Sequence, residues 1–402
     1  MHRIFHIPNE CVLAGTLALA MLAHLSAAQA TTFKVLHSFT GGSDGGNPGY
    51  GSLIMDTNGN LYGATALGGT RGAGTVYELA PDGTETVLHA FAEGSGGDGP
   101  QALVMDSKGN LYGTACCGGA GDGIVFKIAP GGREKIIHTF VGMPNDGATP
   151  ESALVRDKSG NFYGTTTGGG TFGDGAVFKI AADGTESLLY SFAGGHDGDN
   201  PFAGLIMDKE GNLYGTTGQG GRKVSAGTVF KLAPDGTKTV LYSFKGSPND
   251  GSGPDGTLIF DTAGNLYGTT LGGGRSGCYS GDGCGTVFKL ETNGTETVLH
   301  LFKGARKDGA NLVAGMIADS AGNLYGTTEF GRGLNGCNGS FGCGTVFELA
   351  PDGAETILHS FRNGSEGANP VAGLVADGAG NLYGTTAEGG AYGYGTVFEI
   401  TP

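Results

Sequence analysis

The chain has 402 residues, room for one large domain or two to three ordinary ones, and its 38 acidic and 23 basic residues leave a net charge of −15. No cluster of Lys and Arg stands out, which excludes nucleic acid and anionic membranes as partners, because both demand gathered cations. The 83 glycines follow no G-x-y triplet and lie among β-prone runs, so collagen and disorder are excluded and glycine must serve turns in a sheet protein.

The N-terminus reads as a leader. His2 and Arg3 precede the apolar run VLAGTLALAMLAHLSA, and Ala28-Gln29-Ala30 fits a small-residue cleavage site. Residues 1–30 are therefore expected to be a signal peptide, with Thr31 as the mature start. The run is short for a membrane span, and no second one follows. An exported, soluble, monomeric mature chain of residues 31–402, forming a single domain, is the expectation.

The mature chain opens with TTFKVLHSF (31–39), a strand that recurs later at the end of a longer repeat. The phrase GN-L/F-YG occurs seven times, its tyrosines being Tyr62, Tyr112, Tyr163, Tyr214, Tyr267, Tyr325 and Tyr383. In the fourth copy GLIMD (204–208), LYGTT (213–217), GTVFKLA (227–233) and TKTVLYSF (237–244) read as four strands. The D-x-x-G-N and PDG turns between them are hairpin signals, so neighbours pair antiparallel. Four such strands in a unit of about 50 residues predict the blade of an all-β propeller. The last unit stops at GTVFEITP, a third strand lacking a fourth, whereas the chain starts on a fourth strand lacking a third. A seven-bladed β-propeller of four-stranded antiparallel blades, closed by the N-terminal strand pairing with the C-terminal blade, satisfies both ends and leaves no open sheet edge. Strand order puts the tight turns on one face and the long loops on the other, where binding residues usually sit.

Six cysteines follow the leader, and all lie in the loops after LYGTT. Cys278 with Cys284 and Cys337 with Cys343 form C-x5-C pairs in matching contexts, GCYSGDGCGTVF and GCNGSFGCGTVF, and are expected to be local disulfides of an oxidising compartment. Cys116 and Cys117 fit either two thiols or a vicinal disulfide.

Aligning the repeats sorts the polar residues. His37, His89, His138, His300 and His359 share one position that Tyr190 and Tyr242 fill in other blades, so this ring packs rather than ligates. The aspartates of D-x-x-G-N (Asp56, Asp106, Asp157, Asp208, Asp261, Asp319, Asp377) accept backbone N–H groups within their turns. A second acidic set, Asp44, Asp98, Asp146, Asp197, Asp250, Asp308 and Glu366, precedes the innermost strands, each followed by Gly. Placed around the mouth of the central channel, this set would offer carboxylates to Ca²⁺, the one cofactor the sequence suggests; the alternative is a turn-forming role for Asp-Gly. Aromatics that break the repeat, Phe172, Tyr279, Phe330, Phe341, Tyr392 and Tyr394, are either stacking platforms for sugar or peptide groups or packing within the long loops.

The unit GNLYGTT-x-GG…GTVFKLAPDGTETVLHSF is similar to the GloVer tandem repeat of exported bacterial proteins, over residues 32–400. That resemblance implies an extracytoplasmic protein, often of the kind carrying a C-terminal anchoring signal, whereas this sequence ends at Pro402 directly after a strand. The layout GLIMD/GNLYGTT also looks like the blades of NHL-type and gluconolactonase-like propellers. Two function classes follow. One is a non-enzymatic propeller that binds a protein or carbohydrate through its long-loop face, or serves as an envelope scaffold. The other is a metal-dependent, lactonase-like hydrolase or lyase at the channel mouth. The second needs non-equivalent acidic or amide side chains on several inner strands, and SLIMD, ALVMD, ALVRD, GLIMD, TLIFD, GMIAD and GLVAD add only Arg156 to the turn aspartates. Tryptophan signatures of quinone-dependent and sialidase-like propellers are absent, the chain having no tryptophan. No catalytic residue is assigned, and the binding class is preferred.

Overall fold

The computed structural model describes residues 31–402 apart from 93, 95, 120, 223–224, 276–277, 279–282, 305–306, 332–336 and 338–341. The expected signal peptide, Tyr279 and Phe341 lie outside the described residues.

Seven four-stranded antiparallel sheets follow one another as propeller blades. In blade 4 the strands, from the centre outward, are Ile206–Met207, Leu213–Thr217, Thr228–Leu232 and Lys238–Ser243. The innermost strand is shorter than GLIMD suggests. Its ladder is limited to Ile206 opposite Tyr214 and Met207 opposite Leu213. Blade 2 is the exception, with an inner strand over Asp98–Met105. The ring closes as expected: Thr32–Ser38 pairs antiparallel with Thr396–Thr401, Phe33 facing Ile400 and His37 facing Val397.

Each D-x-x-G-N turn is held by its aspartate. Asp56 Oδ1 accepts the N–H groups of Asn58 and Asn60, while Oδ2 accepts Asn60 Nδ2 at 2.8 Å and the Tyr62 hydroxyl at 3.3 Å. The same hydroxyl bond, at 3.1–3.3 Å, recurs in all seven blades. The motif's tyrosine thus belongs to the turn.

Between blades, the phenylalanine ending each fourth strand meets an aromatic ring on the third strand of the next blade. Phe91 meets Phe126, Phe140 meets Phe178 and Phe39 meets Tyr77, edge to face with centroids 4.9–5.1 Å apart. All are fully buried. Each such pair contributes roughly 0.5–1.5 kcal/mol beyond its area burial. The glycine of the YG pair makes room for that ring: a Cβ on Gly164 would lie 2.6 Å from Phe178 Cζ. Among the described residues no helix is long and apolar enough to cross a membrane.

Candidate functional site

The connection from a fourth strand to the next first strand runs from the rim of the ring to its centre, and its two ends carry different chemistry. At the outer end sits the second acidic set. Asp146 accepts the N–H groups of Val141 and Gly147, at 2.9 and 2.7 Å, and lies 3.2 Å from His138 Nε2 on the preceding fourth strand. Asp250 does the same with Lys245, Gly251 and the Tyr242 hydroxyl. Asp197 accepts Tyr190, Ala193 and the buried Lys238 ammonium. Asp44, Asp308 and Glu366 lie 3.4–3.5 Å from His37, His300 and His359. Asp98 departs from the pattern, opening an inner strand opposite Cys117 while His89 pairs with Glu134.

Apart from Asp98, these acids lie beside the outermost strands and not around the channel mouth where the sequence suggested them. Each of the six follows its fourth strand so closely that its carboxylate folds back onto that strand. What the alignment missed is their third partner, the glutamate that begins the next fourth strand. His138, Asp146 and Glu186 bring ligand atoms within 4.8 Å of one another, as do His300, Asp308 and Glu355. An imidazole in each group suits Ca²⁺ poorly, since that ion prefers oxygen donors. Burial, with Asp146 nearby, pushes the Glu186 carboxyl up to about 7, and Glu85 and Glu296 are raised likewise beside Asp44 and Asp250.

The inner end of the connection is where the blades differ. A proline packs over the glycine that starts the third strand of the neighbouring blade, as Pro150 over Gly123, Pro201 over Gly175 and Pro254 over Gly227. The residue after the proline then varies: Gln101, Glu151, Phe202, Asp255 and Val371, with Val313 after Leu312 in blade 6. Blade 1 reads Pro48-Gly49-Tyr50-Gly51, one residue longer before its core leucine than blades 3 to 5. Tyr50, Glu151, Phe202, Asp255 and Val313 line the upper part of a cavity of about 290 Å³ that residues of all seven blades enclose. Tyr50 and Phe202 meet edge to face across it, with centroids 5.6 Å apart. Burial, followed by the carboxylates of Glu329, Glu151 and Asp255, raises the Tyr50 hydroxyl above its ordinary value. Burial alone pushes Asp255 up to about 7 and raises Glu151. Non-equivalent acids thus do border the channel. They stand just upstream of the GLIMD block, at a position that breaks the repeat, and that break was the available signal.

The remaining candidates divide. Phe172 and Tyr392 are well exposed on the long loops, and Tyr394 is half exposed with its ring over Gly41 and Gly46. Phe330 is buried among core residues, where it packs. Cys278–Cys284 and Cys337–Cys343 are disulfides. Cys116 and Cys117 are free thiols with sulfurs 3.1 Å apart, and burial pushes Cys116 up to about 12.

The model of the Gloeobacter/Verrucomicrobia repeat matches residues 22–158 and 118–337, which together exceed half the chain. No curated protein matches in sequence. Among solved structures, the chain is similar to the extracellular domain assigned to the hybrid two component system BT4673 of B. thetaiotaomicron, at 10% identity and TM-score 0.58, covering 91% of this chain and 39% of that one. The corresponding domain of BT3049 from the same organism gives 13% identity and TM-score 0.56, over 92% and 41%. The chain thus spans about two fifths of those extracellular domains. A gluconolactonase of Xanthomonas campestris, XC5397, gives 14% identity over 92% of this chain and 89% of that one, at TM-score 0.44. The likeness to the two B. thetaiotaomicron domains is one of fold.

Proposed function

The chain belongs to the Gloeobacter/Verrucomicrobia repeat family, and from that premise we propose that it is an exported, monomeric binding propeller whose ligand site is the channel mouth. One observation carries this reading. The repeat keeps its turns and seams nearly uniform, yet places a different side chain at the mouth in five of the blades: Tyr50, Glu151, Phe202, Asp255 and Val313. A scaffold alone has no need of such variety, whereas recognition of an asymmetric ligand does. Exposed Phe172, Tyr392 and Tyr394 on the surrounding loops extend the surface toward a protein or carbohydrate partner. Two disulfides support an oxidising compartment, with residues 1–30 as the signal peptide; an N-terminal sequence beginning elsewhere than Thr31 would count against that cleavage.

The test is a glycan and peptide array probed with the intact chain and with Phe202→Ala. Ligands bound by the first and lost by the second support the mouth. Ligands retained by Phe202→Ala and by Glu151→Gln place recognition elsewhere.

Metal-dependent lactone hydrolysis is the second reading, favoured by Glu151 and Asp255 entering one cavity from different blades. Turnover of gluconolactone that depends on added Ca²⁺ or Zn²⁺, and is lost in Asp255→Asn, would put it first.

A further inference from the structure

We propose that the group taken by the channel mouth is an organic ammonium, carried by a small free amine or by a lysine side chain of a peptide. This deepens the reading of the mouth as a binding site and depends on it.

The cavity lining includes two carboxylates, Glu151 and Asp255, and no Lys, Arg or His. Glu329 adds a third negative charge beside Tyr50. Asp255 finds no hydrogen-bond donor among the described residues, so its carboxylate is left to whatever enters. Asp255 is half-buried and its ionised form is disfavoured there, so a cation arriving with N–H donors would stabilise it. The two rings supply the other half of the recognition. Tyr50, 49% exposed, and Phe202 stand at the same mouth, and an aromatic face attracts an ammonium while covering its carbon chain.

A single metal ion fits these residues less well. Among the described residues, the groups whose ligand atoms converge within 4.8 Å are His138/Asp146/Glu186 and His300/Asp308/Glu355, both on the outer seams. Glu151, Asp255 and Glu329 form no such converging group, whereas an ammonium needs only one carboxylate for its N–H donors and apolar surface for its carbon chain. A neutral sugar would use the rings but would leave the charges uncompensated.

The experiment is titration calorimetry of the intact chain at pH 8 with cadaverine, with the tripeptide Gly-Lys-Gly and its Nε-acetylated form, and with CaCl2. Cadaverine or Gly-Lys-Gly should bind, and whichever binds better identifies the free amine or the side chain as the source. Acetylation should weaken the peptide at least tenfold. Asp255→Asn and Glu151→Gln should each weaken the ammonium probe about tenfold without lowering the melting temperature. Equal binding of the acetylated peptide would overturn recognition of charge and leave the mouth as a site. Binding of Ca²⁺ alone, lost in Asp255→Asn, would make it a metal site and overturn the proposal. Silence of both ammonium probes would overturn it too, while an array ligand lost in Phe202→Ala would still support the mouth.

Discussion

Phe33 lies flat on His359, with ring centroids 3.8 Å apart and planes 4° from parallel. Phe33 pairs with Ile400 as Glu85 pairs with Leu79 and Glu186 with Ile180, so it occupies the seam glutamate's position. Five seams carry glutamate there and a sixth carries Lys238, which bonds Asp197 at 2.8 Å. Only the seam next to the closing strand replaces charge with a ring. Burial, with Arg362 nearby, lowers His359 to about 4, so it is neutral at pH 7.

Replacing Phe33 by Glu should return this seam to the common pattern and raise His359 toward or above its ordinary value. NMR titration of the imidazole signals in Phe33→Glu and in the parent reads the change. An unmoved His359 would show that burial outweighs the new carboxylate.

Deleting residues 31–39 removes both the closing strand and Phe39, which is fully buried against Tyr77. Phe39→Ala alone should cost about 3–5 kcal/mol. The deletion should cost more, because it also exposes the edge of Thr396–Thr401. Urea denaturation of the three forms ranks them; a deletion as stable as the parent would contradict closure.

Seam glutamates make stability depend on pH. The folded values of Glu85, Glu186 and Glu296 are raised to about 7 from 4.5, so the native state holds more protons between those values. Their contribution is complete below pH 4.5 and is lost as pH rises through 7. His359 acts oppositely: its folded value is about 4, so its effect erodes stability as pH falls from 6.5 to 4. Glu186→Gln should flatten the loss between pH 4.5 and 7 and leave the His359 limb intact. Melting temperatures across pH 4–9 would show it.

Gly164→Ala should destabilise by about 1–3 kcal/mol, since the new methyl meets Phe178 at 2.6 Å and Leu154 at 2.9 Å. Adding Phe178→Leu should recover part of that loss if the contact is the cause, and none of it if the backbone is.

Reducing Cys278–Cys284 should cost about 2 kcal/mol on the loop-entropy account of a crosslink spanning six residues. Comparing Cys278→Ser/Cys284→Ser with the parent, with and without reductant, isolates this loop from Cys337–Cys343.

The fold was legible because the same turn and strand chemistry is written seven times, and because the two terminal fragments complete one blade. The radial position of the loops was not. Strand order tells which face a loop occupies but not how far from the axis each residue falls. Asp146 and Glu151 are five residues apart, a reach of at most roughly 17 Å, and one turns back to His138 while the other reaches the channel. Reading the inner strand as beginning at ALVRD therefore left Glu151 just outside view, and treated Asp146 as the channel acid. Alignment of repeats gathers the histidines into one ring, yet it hides their glutamate partners, because those belong to the next repeat.

The proline ahead of each mouth residue in blades 2 to 5 is pinned on its neighbour's glycine, and the core leucine follows within a few positions. The segment between those anchors is short, and it meets the neighbouring blade through backbone carbonyls, Ser152 O accepting from Thr114 and Ala203 O from Thr165. Each mouth residue is separated from the next by roughly one repeat of sequence, so it can change without disturbing any hydrogen bond of the seams. Such a ring behaves as a panel of separately adjustable positions on a constant frame. Related chains could take up new ligands by exchanging one side chain at a time, and a designer could graft a chosen set onto it in the same way.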